Sequence, residues 1–226
     1  MYLIGVDLGQ QQDFSAITIT EKVLIQKDIT ALPDQDPEKI YDTRYNLRFI
    51  ERPDLGTPYP DVVDRVRGIC ENPVISRDHT LIVDATGVGR PVIDLMRREG
   101  LQPVPILITG GYKVAHDQIT GEYSVPKRDL AFALQVVFQA QRIKIADGLQ
   151  LADVLSLELQ NFRMKIDRKT SHDSYEAWRE GEHDDIVLSV AMAIWYGEKD
   201  HASYFSVLDK RHEEVEEYDP RTWGLK

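Results

Sequence analysis

The sequence holds one cysteine, Cys70, in 226 residues, which excludes a disulfide framework within the chain and a cysteine-built metal site. Such poverty in cysteine suits a reducing cytosol, and Cys70 reads as a small buried hydrophobe on a helix. No run approaches the roughly 18 consecutive apolar residues of a membrane-spanning helix. The opening Met1-Tyr2-Leu3-Ile4-Gly5-Val6 has no basic stretch and no small-residue cleavage site, so no secretory signal is expected. Positive charge is scarce: 27 Lys and Arg stand against 38 Asp and Glu, a net charge of −11. That balance excludes a surface coated in basic residues for nucleic acid, while leaving room for local patches. What the chain has in quantity is core. Hydrophobic residues make up 42% and charged ones 29%, the balance of a globular domain.

The apolar pattern predicts strands first and helices later. Residues 2–8 are nearly all apolar, as in a central strand covered on both faces. Residues 14–20 and 43–51 are rich in β-branched and aromatic side chains and read as two more strands, with a further one possible over 22–30. Val62, Val63, Val66, Ile69 and Cys70 recur at helical spacing, and Asn72-Pro73 stops that helix. A short buried strand at 81–83 ends in Asp84, a helix covers 91–99, and a strand covers 104–108. Residues 109–125 carry scattered turn signals and read as a hairpin excursion. Pro126 opens a helix whose Leu130, Leu134, Val137 and Phe138 share a face. A second helix is expected over 149–159, a strand over 162–166, and a helix apolar all round over 186–196. This order implies an α/β fold, a mixed central sheet with helices on both faces and a β-hairpin insertion. The expected organisation is one domain over 1–198 and an acidic tail over 199–226.

Acidic residues stand where stability does not want them. Asp7 ends one buried strand, Asp84 ends another, and Asp184-Asp185 opens a buried helix. In an open sheet, ligands bind beyond the carboxyl ends of the strands, where Asp7 and Asp84 can approach each other. A helix N-terminus alone accounts for Asp184 and Asp185, through capping and the dipole. Together, however, clustered carboxylates repel, and a cation offsets that cost. An all-oxygen donor set suits Mg²⁺ or Mn²⁺ rather than zinc. Asp13, beyond the turn after Asp7, is a further candidate, or an ordinary turn Asp. Two ions sharing a carboxylate are the arrangement for phosphodiester hydrolysis, so catalytic roles fall to Asp7, Asp84, Asp184 and Asp185 and metal ligation to these with Asp13.

The segments IGVDLGQQQDFSAI, LIVDATGVGRPVIDLM, YSVPKRDLAFALQ, ELQNFRMKI and SYEAWREGEHDDIVLSVAMAIW together resemble the C-terminal nuclease domain of phage terminase large subunits. The match runs in order from about residue 2 to residue 198, with DATGVGRPV followed by EGEHDDIVLS as its most specific part. The resemblance implies a ribonuclease H-like fold and cleavage of double-stranded DNA during genome packaging. It implies Asp7 as the first-strand metal ligand, Asp84 as the second-motif acid, Asp184 with Asp185 as the third motif, and Asp13 as a secondary acid. It further implies an ATPase domain, a small terminase subunit and a portal as partners, and the host cytoplasm, at the procapsid, as the location. Terminase large subunits carry an upstream ATPase domain with a G-x-x-x-x-G-K-[ST] loop; the sequence has no such motif, so no ATPase domain is expected within it.

Supporting residues are read from charge and position. His183 precedes the acid pair as a ligand or proton shuttle, or as a surface side chain. Lys127 and Arg128 oppose the dipole at a helix start, which hints at a use in holding phosphate or orienting water. Arg163, Lys165, Arg168 and Lys169 form the most basic window and are the preferred contacts to a phosphate backbone, with Lys113, Tyr112 and His116 of the hairpin segment beside them. Rival readings are an actin-like or sugar-kinase-type ATP-binding fold, suggested by Asp7-Leu8-Gly9 and Asp84-Ala85-Thr86-Gly87, a junction resolvase or ribonuclease H-type nuclease, and a non-catalytic packaging adaptor. The first leaves Asp184-Asp185 unexplained, and the last predicts the loss of an acid, which the sequence does not show.

Overall fold

Tyr2–Asp7 (β1) is the strand about which the rest is built, and all but its first residue are buried. In a computed structural model, which describes residues 1–9, 13–26, 41–87, 89–168 and 184–199, it sits near the middle of an eight-stranded sheet. Side chains of Gly89 and of residues 163–168 are outside that description. On one side β1 pairs antiparallel with Ala16–Gln26 (β2), which pairs antiparallel with Tyr41–Glu51 (β3). On the other it pairs parallel with His79–Asp84 (β4), followed by Pro103–Thr109 (β5), also parallel. Ala115–His116 (β6) and Tyr123–Pro126 (β7) form the expected hairpin at the β5 edge, and Ile143–Ile145 (β8) adds a short strand beside β3. The order is β6-β7-β5-β4-β1-β2-β3-β8.

Alternation along the strands divides the core into two layers. Ile4 and Val6 of β1, with Leu81 and Val83 of β4, face Tyr59–Cys70 (α1) and Gly89–Arg98 (α2), where Val62, Val66, Ile69, Val92 and Met96 pack. Leu3 and Ile82 face the opposite layer, formed by Lys127–Gln139 (α3), Ala152–Arg168 (α4) and Asp185–Lys199 (α5). Helix α5 is buried nearly all round, as its unbroken apolar run requires. Among the described residues, no helix is long and apolar enough to cross a membrane.

Two expectations are corrected. Residues 162–166 continue α4 rather than forming a strand. Phe-Arg-Met-Lys-Ile alternates locally, but Leu155, Glu158 and Phe162 are buried at helical spacing, and that longer face prevails. The basic window therefore begins on a helix, not at a strand edge: Arg163, Lys165 and Arg168 have helical backbone, while Lys169 lies outside the described residues. The separate strand expected from residue 22 is the far half of the long β2, and residues 27–30 lie outside the description. So does the acidic tail beyond Lys199.

Candidate active site

The register of the sheet brings the two strand-end acids together. Val6 stands opposite Val83 in the parallel β1–β4 pair, so the next residues, Asp7 and Asp84, are neighbours at the carboxyl edge. Their parity with Leu3 and Ile82 directs both toward the layer that contains α5. The two carboxyl groups interact directly, and Asp7 is 6% exposed against 7% for Asp84. Asp84 also accepts the Thr86 N–H at 2.7 Å, while the Thr86 hydroxyl accepts the Ile108 N–H at 2.8 Å. Thr86 thus fixes the Asp84 carboxylate to the end of β5.

Helix α5 delivers the third acid because it lies unusually close to β1. A Cβ on Gly5 would stand 2.1 Å from the Ser189 carbonyl oxygen, so only glycine admits the approach. The first turn of α5 then places Asp185 at the same end of the sheet, where it is buried. Asp184 is more open and takes a 2.8 Å bond from Lys127 Nζ, at the start of α3. Lys127 also lies 5.8 Å from the centre of the Phe162 ring. Arg52, directly after β3, bonds both Asp185 and Glu158 of α4.

Electrostatics records this crowding. Burial first, then the charges of Asp84, Asp185 and Asp184, hold the Asp7 carboxyl well above the usual carboxylate range. Burial raises Asp84 as well, against the hydrogen bonds from Thr86 and the charge of Lys127. Asp185 is pushed up to about 7, again by burial first, with Glu158, Asp184 and Asp13 adding to it and Arg52 opposing. Folding therefore holds protons that the unfolded chain releases, so stability falls as pH rises from the ordinary carboxylate range through about 7. The metal-free protein should melt lower at pH 8 than at pH 5.5. Scanning calorimetry with EDTA checks this; a melting temperature that rises over that interval contradicts it.

The other expected residues distribute unevenly. Asp13 is exposed and lines a small open cleft with Gly9, Ser15, Asp54 and Tyr59; its charge reaches Asp185, but it stands at the rim of the cluster. Gly9 lies close against Asp13 and Phe14, since a Cβ there would stand 2.2 Å from the Asp13 carbonyl oxygen. Arg128 is half-exposed and bonds the Tyr112 carbonyl at 2.9 Å, with its guanidinium 4.5 Å from the Tyr112 ring centre; Lys113 is exposed nearby in sequence. His116 stacks on Tyr123 with ring centres 3.9 Å apart. His183 lies outside the described residues. Among the described residues, no three acids or His and Cys side chains stand as a formed metal cage; Lys127 and Arg52 are bonded to Asp184 and Asp185 instead. The donor chemistry nonetheless fits a hard divalent cation, being all oxygen, buried and mutually repelling.

Sequence reasoning missed Arg52, Glu158 and Thr86. Signals existed for two of them. Glu158 falls three residues after Leu155 and four before Phe162, on the apolar face of its helix. Arg52 follows a strand that runs parallel to β1, so it emerges at the edge that carries Asp7.

Strands β3-β2-β1-β4-β5 form an antiparallel meander continued by two parallel strands, with helices on both faces and acids at the ends of β1 and β4. The expected mixed α/β architecture, with helices on both faces of one sheet, is thus present. No family model and no curated protein matches the chain. Solved structures to which the chain is similar include the large terminase nuclease from thermophilic phage G20c, at 17% identity, with 85% of this chain and 80% of that one covered and a TM-score of 0.48. The human cytomegalovirus terminase nuclease domain, Mn soaked, is 12% identical, with 88% and 85% covered and a TM-score of 0.49. The large terminase of a second thermophilic bacteriophage is 12% identical with a TM-score of 0.45; the match covers 85% of this chain and 38% of that one.

Proposed function

We propose that the chain is a metal-dependent endonuclease that cuts double-stranded DNA, the nuclease part of a viral genome-packaging terminase. The observation that carries this reading is the meeting of Asp7, Asp84 and the Asp184-Asp185 pair at one end of the sheet, from three separate elements. Buried like charges cost stability, and their gathering makes sense where cations complete the site. The sequence motifs around these acids, in the order the terminase nucleases have them, supply the substrate class.

Asp7, central to the cluster, would hold Mg²⁺ or Mn²⁺, as two ions, together with Asp84 and Asp185. Asp184 and Asp13, nearer the surface, would complete the ligand set. When bound, such ions activate a water and stabilise the leaving oxygen. Lys127, at the start of α3 and paired with Asp184, would lie beside the cations and could hold a phosphate oxygen. Arg128 and Lys113, with Arg163, Lys165, Arg168 and Lys169, are assigned to the phosphate backbone. Because the whole chain carries −11, DNA is held through these local contacts alone, and binding weakens steeply with salt. The ATPase domain, small subunit and portal belong to the same proposal, as does action in the host cytoplasm.

Supercoiled plasmid incubated with Mn²⁺ or Mg²⁺ should be nicked and linearised, with little sequence preference, and EDTA should stop it. Asp84→Ala should lose the activity. Cutting that persists in excess EDTA, or in Asp84→Ala, refutes the reading.

A further inference from the structure

Glu158 is 4% exposed, ionisable, and set in the core layer between α4 and α5. Its two oxygens have different partners. Oε2 accepts the N–H of Val187 at 3.0 Å, a first-turn amide of α5 that has no acceptor within its own helix. Oε1 accepts from Arg52 Nη2. The same Nη2 donates to Asp185 Oδ2 at 3.2 Å, and among the described residues Arg52 Nε is buried with no acceptor. A single guanidinium nitrogen is thus divided between a structural glutamate and an acid of the candidate site.

We propose that Glu158 is a positioning residue for Asp185, acting through α5 and through Arg52. This rests on the nuclease reading above and extends it to two residues outside the acid motifs. The bond to Val187 fixes the first turn of α5, and with it the height of Asp185 at the edge of the sheet. The bond to Arg52 draws the guanidinium toward α4 and so limits its hold on Asp185. Without the glutamate charge, Arg52 would turn wholly to Asp185 and compete with the metal. Partners one shell behind a ligand typically change metal affinity by about 10–100-fold.

Glu158→Gln keeps the shape and an acceptor for Val187 but removes the charge. Its Mn²⁺ affinity, measured by isothermal titration, should fall about tenfold or more. In plasmid cleavage at fixed sub-saturating Mn²⁺, kcat should fall with KM for DNA unchanged. The double variant Glu158→Gln/Arg52→Gln removes the competitor as well and should recover most of the lost affinity, a rescue that mere structural damage would not give. Arg52→Gln alone should bind Mn²⁺ at least as well as wild type, which keeps the test decisive if Glu158→Gln fails to fold. Arg142→Gln serves as a control, because it breaks the ion pair to Glu198 at the far end of α5 and should leave Mn²⁺ affinity unchanged. Unchanged affinity in Glu158→Gln, a double variant no better than the single one, or weaker binding in Arg52→Gln overturns the positioning role alone. A wild-type chain that binds no Mn²⁺ overturns the nuclease reading, and the positioning role with it.

Discussion

Asp7→Asn should abolish Mn²⁺-dependent cleavage of double-stranded DNA while leaving the metal-free protein at least as stable as wild type. The two effects have one cause. Asp7 is buried beside Asp84, Asp184 and Asp185, and both burial and those charges disfavour its ionised form. Asparagine occupies the same volume and carries no charge, so the folded chain no longer bears the cost of burying that carboxylate. The group that is lost, however, is the carboxylate at the centre of the proposed metal site. Removing a ligand that supports roughly 4 kcal/mol of transition-state stabilisation corresponds to about a thousandfold in rate. Parallel plasmid assays and melting curves at pH 8 check both halves. The stabilisation that Mn²⁺ gives wild type should also vanish in the variant. Full activity in Asp7→Asn would remove it from the site, and a large drop in metal-free stability would show that its role is structural.

Gly5→Ala should be strongly destabilising although it adds a single methyl group. Its Cβ would stand 2.1 Å from the Ser189 carbonyl oxygen and 2.8 Å from the carbonyl carbon, both backbone atoms that cannot swing aside. The helix must therefore lift from the sheet. The contact is tied on both sides, since the Ser189 and Thr18 hydroxyls lie 3.1 Å apart beneath it. Overpacking of this kind costs about 3 kcal/mol, which for a chain of this length lowers the melting temperature by about 10 °C. Lifting α5 also withdraws Asp185 from Asp7 and Asp84, so Mn²⁺ binding should weaken beyond what the loss of stability explains. Gly68→Ala provides the contrast: nothing lies within 4 Å of a Cβ there, and alanine favours its helix. A Gly5→Ala protein as stable as Gly68→Ala would show that α5 is not held where the structure has it.

Local chemistry was enough to reveal the three acidic positions. A carboxylate that ends a wholly apolar strand is anomalous within a few residues of sequence, and Asp7 and Asp84 each satisfy that test alone. The mixed sheet, the two helical layers and the hairpin were likewise legible, because period-2 and period-3.6 patterns are written over short windows. Where two periods overlapped, the short window misled: residues 162–166 alternate like a strand, but the face shared with Leu155 and Glu158 makes them helix. Partnership is a different kind of fact. Arg52 meets Glu158 and Asp185 across separations of 106 and 133 residues, and no local pattern carries such a pairing. The need for glycine at position 5 is equally invisible in a strand of small and apolar residues, since it is imposed by a helix that arrives from residue 185 onward. The sequence by itself determined which residues are chemically out of place. Only the tertiary structure decided which of them share a site, because strand register and helix approach, not spacing along the chain, set the distances over which charges act.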